Sequence, residues 1–173
     1  GNKWLYKYYP SNSQYQVVIT KDSSGADNDR FIFINGQNVP SYKIDSLHQV
    51  YQYSNAIYPN GQVILGPEYL LYKLSAAAGD SFYTMNQSFI VKVSTFSQNI
   101  FGKLVAVKDY TRFSSSYGYV FGESTIAEGF GLIYANGAGE EGFLIGCVIN
   151  GVSYGVPLAV KKEIENIPST ITL

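Results

Sequence analysis

The chain predicts an all-β domain, an antiparallel meander forming a half-barrel or sandwich with at most one or two short helices. Three observations carry that expectation. Tyr and Phe supply 16 and 10 of the 173 residues, and aromatic and β-branched side chains suit a pleated, half-buried surface. Apolar and polar residues alternate with period two, which turns one strand face inward and the other to water. Asn-Gly occurs at Asn35-Gly36, Asn60-Gly61, Asn136-Gly137 and Asn150-Gly151. Both residues tolerate positive φ, so the pair marks tight hairpins.

The first strand has Trp4, Tyr6 and Tyr8 on one face and Lys3, Lys7 and Tyr9 on the other. Tyr15, Val17 and Ile19 then oppose Gln14, Gln16 and Thr20. Arg30 to Ile34 runs into Asn35-Gly36 and returns through Gln37 to Ile44. Strands follow at Gln49 to Tyr53, at Phe89 to Val93 with Lys92 and Ser94 opposed, and at Lys103 to Tyr110. Tyr117 to Phe121 and Gly131 to Tyr134 come next, and Leu144 to Ile149 enters Asn150-Gly151 and returns through Val152-Ser153-Tyr154. Pro67 to Leu74 reads equally as a helix, with Pro at its first position, or as an aromatic-rich strand. Lys161 to Asn166 fits one terminal helical turn. Gly, Ser, Asn and Pro fill the gaps, as in a meander rather than βαβ units. No repeat or second domain interrupts the pattern, so residues 1–173 read as a single domain.

Bulk properties narrow the function. With 46% apolar residues the chain can bury a core, and with 14% charged residues it sits well below the average of about 25%. Its polar surface is therefore built from Ser, Thr, Asn, Gln and Tyr, as on secreted and carbohydrate-facing proteins. Net charge is −1 and the lysines are scattered, so the concentrated basic footprint of a nucleic-acid binder is missing. No run of about 20 apolar residues offers a membrane helix. No signal peptide is read in the sequence, which leaves open an export signal removed ahead of Gly1.

Candidate chemistry is sparse. Cys147 is alone in the apolar run Phe143 to Ile149, and reads as a small buried hydrophobe packed beside Ile145 and Ile149 on its strand face. His48 is the only imidazole; it lies at a strand entrance, far in sequence from Cys147 and from Ser114-Ser115-Ser116. Asp22, Asp27, Asn28 and Asp29 cluster in one loop, and hard cations want six to eight oxygens. The spacing matches no EF-hand, and a solvated hairpin tip with no specific metal is expected. Glu68, Glu123, Glu128, Glu140 and Glu141 are the other acids a glycosidase would need as a pair. No cofactor is implied, and no catalytic residue is assigned.

The aromatic stripe is the strongest binding candidate. Tyr6, Tyr8, Tyr9, Tyr15, Tyr51, Tyr53, Tyr58, Tyr69, Tyr72, Tyr83, Tyr117 and Tyr119 exceed what a core of this size holds, and Tyr keeps its hydroxyl wet or paired. Trp4, Tyr6 and Tyr8 on one strand, with Tyr51 and Tyr53 on another, are the expected platform for a carbohydrate or lipid. The alternative is that these rings are cross-strand pairs holding the sheet.

Several patches resemble an uncharacterised family of secreted β-rich domains from Bacteroidetes-type bacteria. They are Gly1 to Tyr8, Tyr69 to Leu74 leading to Gly79-Asp80-Ser81-Phe82, Glu128 to Tyr134, Leu144 to Gly151, and Tyr154-Gly155. The tail Ile167 to Leu173 resembles the stretch ahead of a type IX secretion sorting domain. The chain departs from the family pattern at Phe130, which stands where a β-branched residue is usual between two glycines. The resemblance implies export and an antiparallel β architecture, and carries over no catalytic residue. The expected function is a non-catalytic exported or cell-surface domain binding an extended carbohydrate or lipid. A structural module of a larger surface protein, or a glycoside hydrolase, are the alternatives.

Overall fold

The computed structural model describes residues 2–35, 40–57, 63–85, 87–137 and 139–156. Among them the chain is all-β, about 70% strand, with one 3-10 turn at Ala26–Asn28 and no α-helix. The strands are β1 (Lys3–Tyr9), β2 (Gln14–Ser24), β3 (Arg30–Ile34), β4 (Tyr42–Ile44), β5 (Gln49–Ile57) and β6 (Val63–Lys73). Then come β7 (Ser81–Thr84), β8 (Phe89–Ile100), β9 (Lys103–Ser114), β10 (Val120–Ala127), β11 (Gly131–Gly137), β12 (Glu140–Ile149) and β13 (Val152–Gly155).

Every pairing is antiparallel, in the order β6-β5-β4-β3-β2-β1-β12-β11-β10-β9-β8-β7, with β13 on β12. Two six-stranded meanders thus meet where β1 pairs with β12. Their far ends, β6 and β7, are consecutive in the chain and joined only by residues 74–80. A flat sheet would hold β6 and β7 roughly 50 Å apart, at about 4.8 Å per strand. The chain from Lys73 to Ser81 spans at most about 29 Å. The sheet must therefore curl, and it is nearly closed and barrel-like.

Side chains bridge the seam where backbone ladders stop. The Tyr110 hydroxyl donates to the Lys73 carbonyl at 2.9 Å. Lys108 Nζ donates to the carbonyls of Leu74 and Ala76, both at 2.6 Å, and Thr84 Oγ1 donates to that of Leu70. Around them Ala76, Phe82, Val91, Val93 and Tyr110 form one core cluster, with Leu70, Tyr72 and Ile126 against it. The Tyr72 and Tyr110 rings lie 5.0 Å apart.

Register allocates the faces. Tyr8, Gly142, Ala135, Ser124, Tyr110 and Val93 form one row across β1, β12, β11, β10, β9 and β8. This row points inward, with small residues at its centre. A Cβ on Gly142 would lie 2.9 Å from Tyr8 Cε1, so glycine there lets the Tyr8 ring rest on the sheet. The next row, Lys7, Phe143, Tyr134, Thr125, Asp109 and Ser94, points the other way.

The Asn150-Gly151 hairpin is as expected. Ile149 pairs with Val152, and φ of +50° at Asn150 and +81° at Gly151 fits a type I′ turn. Strands β3 and β4 also pair as expected, although residues 36–39 of their connection, like Asn60-Gly61 and Lys161 to Asn166, lie outside the described residues. Some local readings are corrected. Asn136-Gly137 ends β11 opposite Glu141 and Glu140, so the turn comes later. Tyr117 and Tyr119 belong to the turn before β10, where Gly118 N donates to Ser114 O at 2.8 Å. Pro67 to Lys73 is part of β6, paired with β5, because the ladder settles what local preference left even.

Buried tyrosines make the fold alkali-sensitive. Burial, then the neighbouring Tyr72, pushes the Tyr110 hydroxyl up to about 12, and burial with the same neighbour does likewise for Tyr42. Their folded pKa values exceed the unfolded value of about 10, so the stabilisation is complete below pH ~10. It is lost as pH rises from about 10 to about 12, at about 1.4 kcal/mol per pH unit per group. Denaturant midpoints measured across that window should fall steeply, and less steeply in Tyr110→Phe; a flat profile would contradict the burial.

Candidate functional site

Strand β12 explains where the sheet opens. One of its edges pairs with β1 along its length. The other pairs with β11 only over Glu140–Phe143, and beyond that with β13 over Gly146–Ile149. Strands β11 and β12 therefore part after the Tyr134–Phe143 pair. Two facing glycines permit this. A Cβ on Gly146 would meet Val156 O at 2.2 Å, and one on Gly155 would meet Ile145 O and Phe101 Cε1, each at 2.4 Å.

The parting strands are bridged by the second core cluster, Ile100, Val107, Ala127, Phe130, Ile133 and Cys147, with Trp4, Phe101, Leu144, Ile149 and Tyr154 packed against it. Cys147 is 1% exposed, and burial raises its thiol pKa, as befits an inert core residue. Ile149 packs on this cluster as expected, but Leu144 takes the place expected for Ile145. The cause is a register shift: Leu5 pairs with Gly146 and Tyr6 with Leu144, which leaves Ile145 as the extra residue of a bulge.

A half-open groove of about 490 Å³ lies at the same split. Its lining is Phe96, Gln98 and Ile100 of β8, Asn99 and Phe101 at the β8–β9 tip, Thr125 of β10, Ile133 and Tyr134 of β11, and Phe143 and Leu144 of β12. Phe96 and Phe143 are 47% and 37% exposed. Phe143 contacts both Tyr134, at 5.0 Å between centroids, and Tyr9, at 5.8 Å. Thr125 donates to Asp109 Oδ1 at 2.8 Å, fixing its hydroxyl beside these rings. The lining holds four aromatic rings, two amides, the hydroxyls of Thr125 and Tyr134, and no charged group.

The residues expected to form the platform do other things. Trp4 Nε1 donates to Phe130 O at 2.7 Å. Tyr6 is 8% exposed and donates to Leu132 O at 2.9 Å, and burial pushes its pKa well up. Both tie β1 to the start of β11 from within. Tyr8 is half-buried against Gly142. Tyr51 and Tyr53 are half-buried on β5, with three strands between it and β1 in the sheet. There Lys43 lies 4.6 Å over the Tyr51 ring and pairs with Glu68 Oε1 at 2.6 Å. Tyr51 donates to Asp45 Oδ2 at 3.3 Å. Trp4, Tyr6 and Tyr8 are thus not gathered with Tyr51 and Tyr53, and none of the five lines the groove. Tyr58 lies outside the described residues.

The other candidates are likewise dispersed. His48 is exposed at the β4–β5 turn with φ +58°. The neighbouring Asp45 carboxylate accepts instead from the amides of Leu47 and Gln49. Ser115 Oγ donates to Gln87 O at 2.6 Å. Asp22 pairs with Arg30 across the β2–β3 hairpin. Among the described residues no three His, Cys, Asp or Glu converge as metal ligands. Glu140 and Glu141 are exposed at the start of β12, while Glu68 is committed to Lys43. Sequence reasoning missed Phe96, Gln98, Tyr134 and Phe143 as a group. The one available signal was the alternation Phe96, Gln98, Ile100, which continues β8 past the segment assigned as a strand.

No family model, no curated protein and no solved structure matches the chain.

Gly155→Ala should force β13 and the Phe101 ring apart, since φ there is +68° and the space is filled. The expected cost is about 1–3 kcal/mol, typical of overpacking. Cys147 should then react with a thiol reagent that leaves the native protein untouched; equal labelling of both would contradict the packing described.

Proposed function

We propose that the chain is a non-catalytic, exported or cell-surface domain that binds an extended carbohydrate in the groove lined by β8, β10, β11 and β12. The observation that supports this is the lining, in which partly exposed Phe96 and Phe143 lie beside Tyr134, Gln98, Asn99 and Thr125. A sugar presents apolar C–H faces and hydroxyl edges, which call for open ring faces next to amides and hydroxyls. A lipid tail calls for enclosure, and this groove is half open. No lining residue carries a carboxylate, imidazole or thiol, which favours binding over hydrolysis at this place. The low charge content and the resemblance to secreted domains support export.

Titration against a panel of soluble glycans tests the reading. Phe143→Ala and Tyr134→Ala should each weaken a bound glycan about tenfold, as expected for the loss of one stacking ring. Tyr53→Ala, far from the groove, should leave affinity unchanged. Binding of fatty acids in place of glycans would move the site to the lipid reading, and binding of neither would leave a structural module.

A further inference from the structure

The outer edge of β8 carries an inference that is independent of the groove's ligand. Strand β7 covers β8 only from Phe89 to Lys92, and Val93 is covered by bonds from Gly79 N to its carbonyl and from its own N–H to Asp80 O. Both polar groups of Val93 therefore point away from β9. With period-two alternation, those of Thr95, Ser97 and Asn99 point away as well. No strand among the described residues pairs with them there. Ser94 to Asn99 are all exposed, and none is charged or proline. An edge protected against pairing normally carries a charge, a proline or a bulge; this one carries none.

We infer that this edge pairs with the same edge of a second copy of the chain, antiparallel about a two-fold axis at Ser97. The pattern is self-complementary. Ser97 faces Ser97 of the second copy, and Thr95 faces Asn99, giving about six backbone hydrogen bonds from the three outward residues. In between, Phe96 faces Gln98 of the second copy. No charge meets its like. Two apolar side chains flank the edge on opposite faces: Phe96, 47% exposed, and Leu104, 76% exposed and opposite Asn99 in β9. Pairing covers part of each. The contact is small, so the dimer belongs to the weak, transient class.

Sedimentation velocity of the 173-residue chain, from about 10 μM to about 1 mM, reads the equilibrium. A concentration-dependent monomer–dimer shift is expected. Ser97→Pro removes an outward N–H that the β8–β9 ladder does not use, so it should weaken dimerisation at least tenfold while leaving the melting curve unchanged. Should that variant melt early, Ser97→Cys serves instead: it should form an intermolecular disulfide on oxidation faster than Ser116→Cys, an exposed turn position. A chain monomeric throughout, a dimer indifferent to Ser97→Pro, or equal cross-linking of the two cysteine variants overturns the inference. Glycan binding alongside any of these results leaves the groove reading intact, and its loss in Ser97→Pro would mean that the two sites are one.

Discussion

The seven residues between β6 and β7 govern the whole molecule. They join the two ends of a twelve-strand path, and no flat sheet can satisfy a tether of that length. Curling is thus a covalent requirement before it is a packing preference. Twist supplies the curvature, and the seam supplies the chemistry. Tyr110, Lys108 and Thr84 donate to carbonyls on β6 and its following loop, and the Lys73 carbonyl accepts from Ala76 N as well. Lys108 differs from the other two donors in bringing an ammonium group to neutral carbonyls. A charged donor to backbone oxygen makes a stronger bond than a neutral one.

Closure also determines which residues are small. With Tyr8, Tyr72 and Tyr110 turned inward, the row between them must give way. Gly142, Ala135 and Ser124 do so at consecutive strands. Large rings over a strip of small residues leave little void, and voids cost about 1 kcal/mol for each missing methyl-sized group. The interior tolerates several tyrosines because their hydroxyls find partners there, Tyr6 at the Leu132 carbonyl, Tyr110 at the Lys73 carbonyl and Tyr72 at Ser124.

The groove follows from a different economy. Strand β12 has two edges and three partners, so β11 and β13 must share one of them. The strands part, and a second core with Phe101, Phe130 and Tyr154 in edge contact fills most of the gap. What is left unfilled on the outer side is the groove. There Phe143 is held between Tyr134 and Tyr9, at 5.0 and 5.8 Å between ring centroids.

The sequence by itself determined the class of fold, the faces of individual strands and the Asn150-Gly151 hairpin. Each of these rests on neighbours in the chain: alternation, residue preference, or two residues that accept positive φ. It also marked Cys147 as core, since an apolar run needs no distant information. It could not determine that β1 would lie beside β12, because that pairing spans some 140 residues and leaves no local trace. From that one pairing follow the order of the strands, the burial of Trp4 and Tyr6, and the separation of Tyr51 and Tyr53 from them. The bulge that exchanges Leu144 for Ile145 was equally hidden, as it arises from register between strands. Only the tertiary structure decided which rings stay open at the surface: composition counts aromatic side chains, and closure of the sheet chooses the few left at the place where it splits.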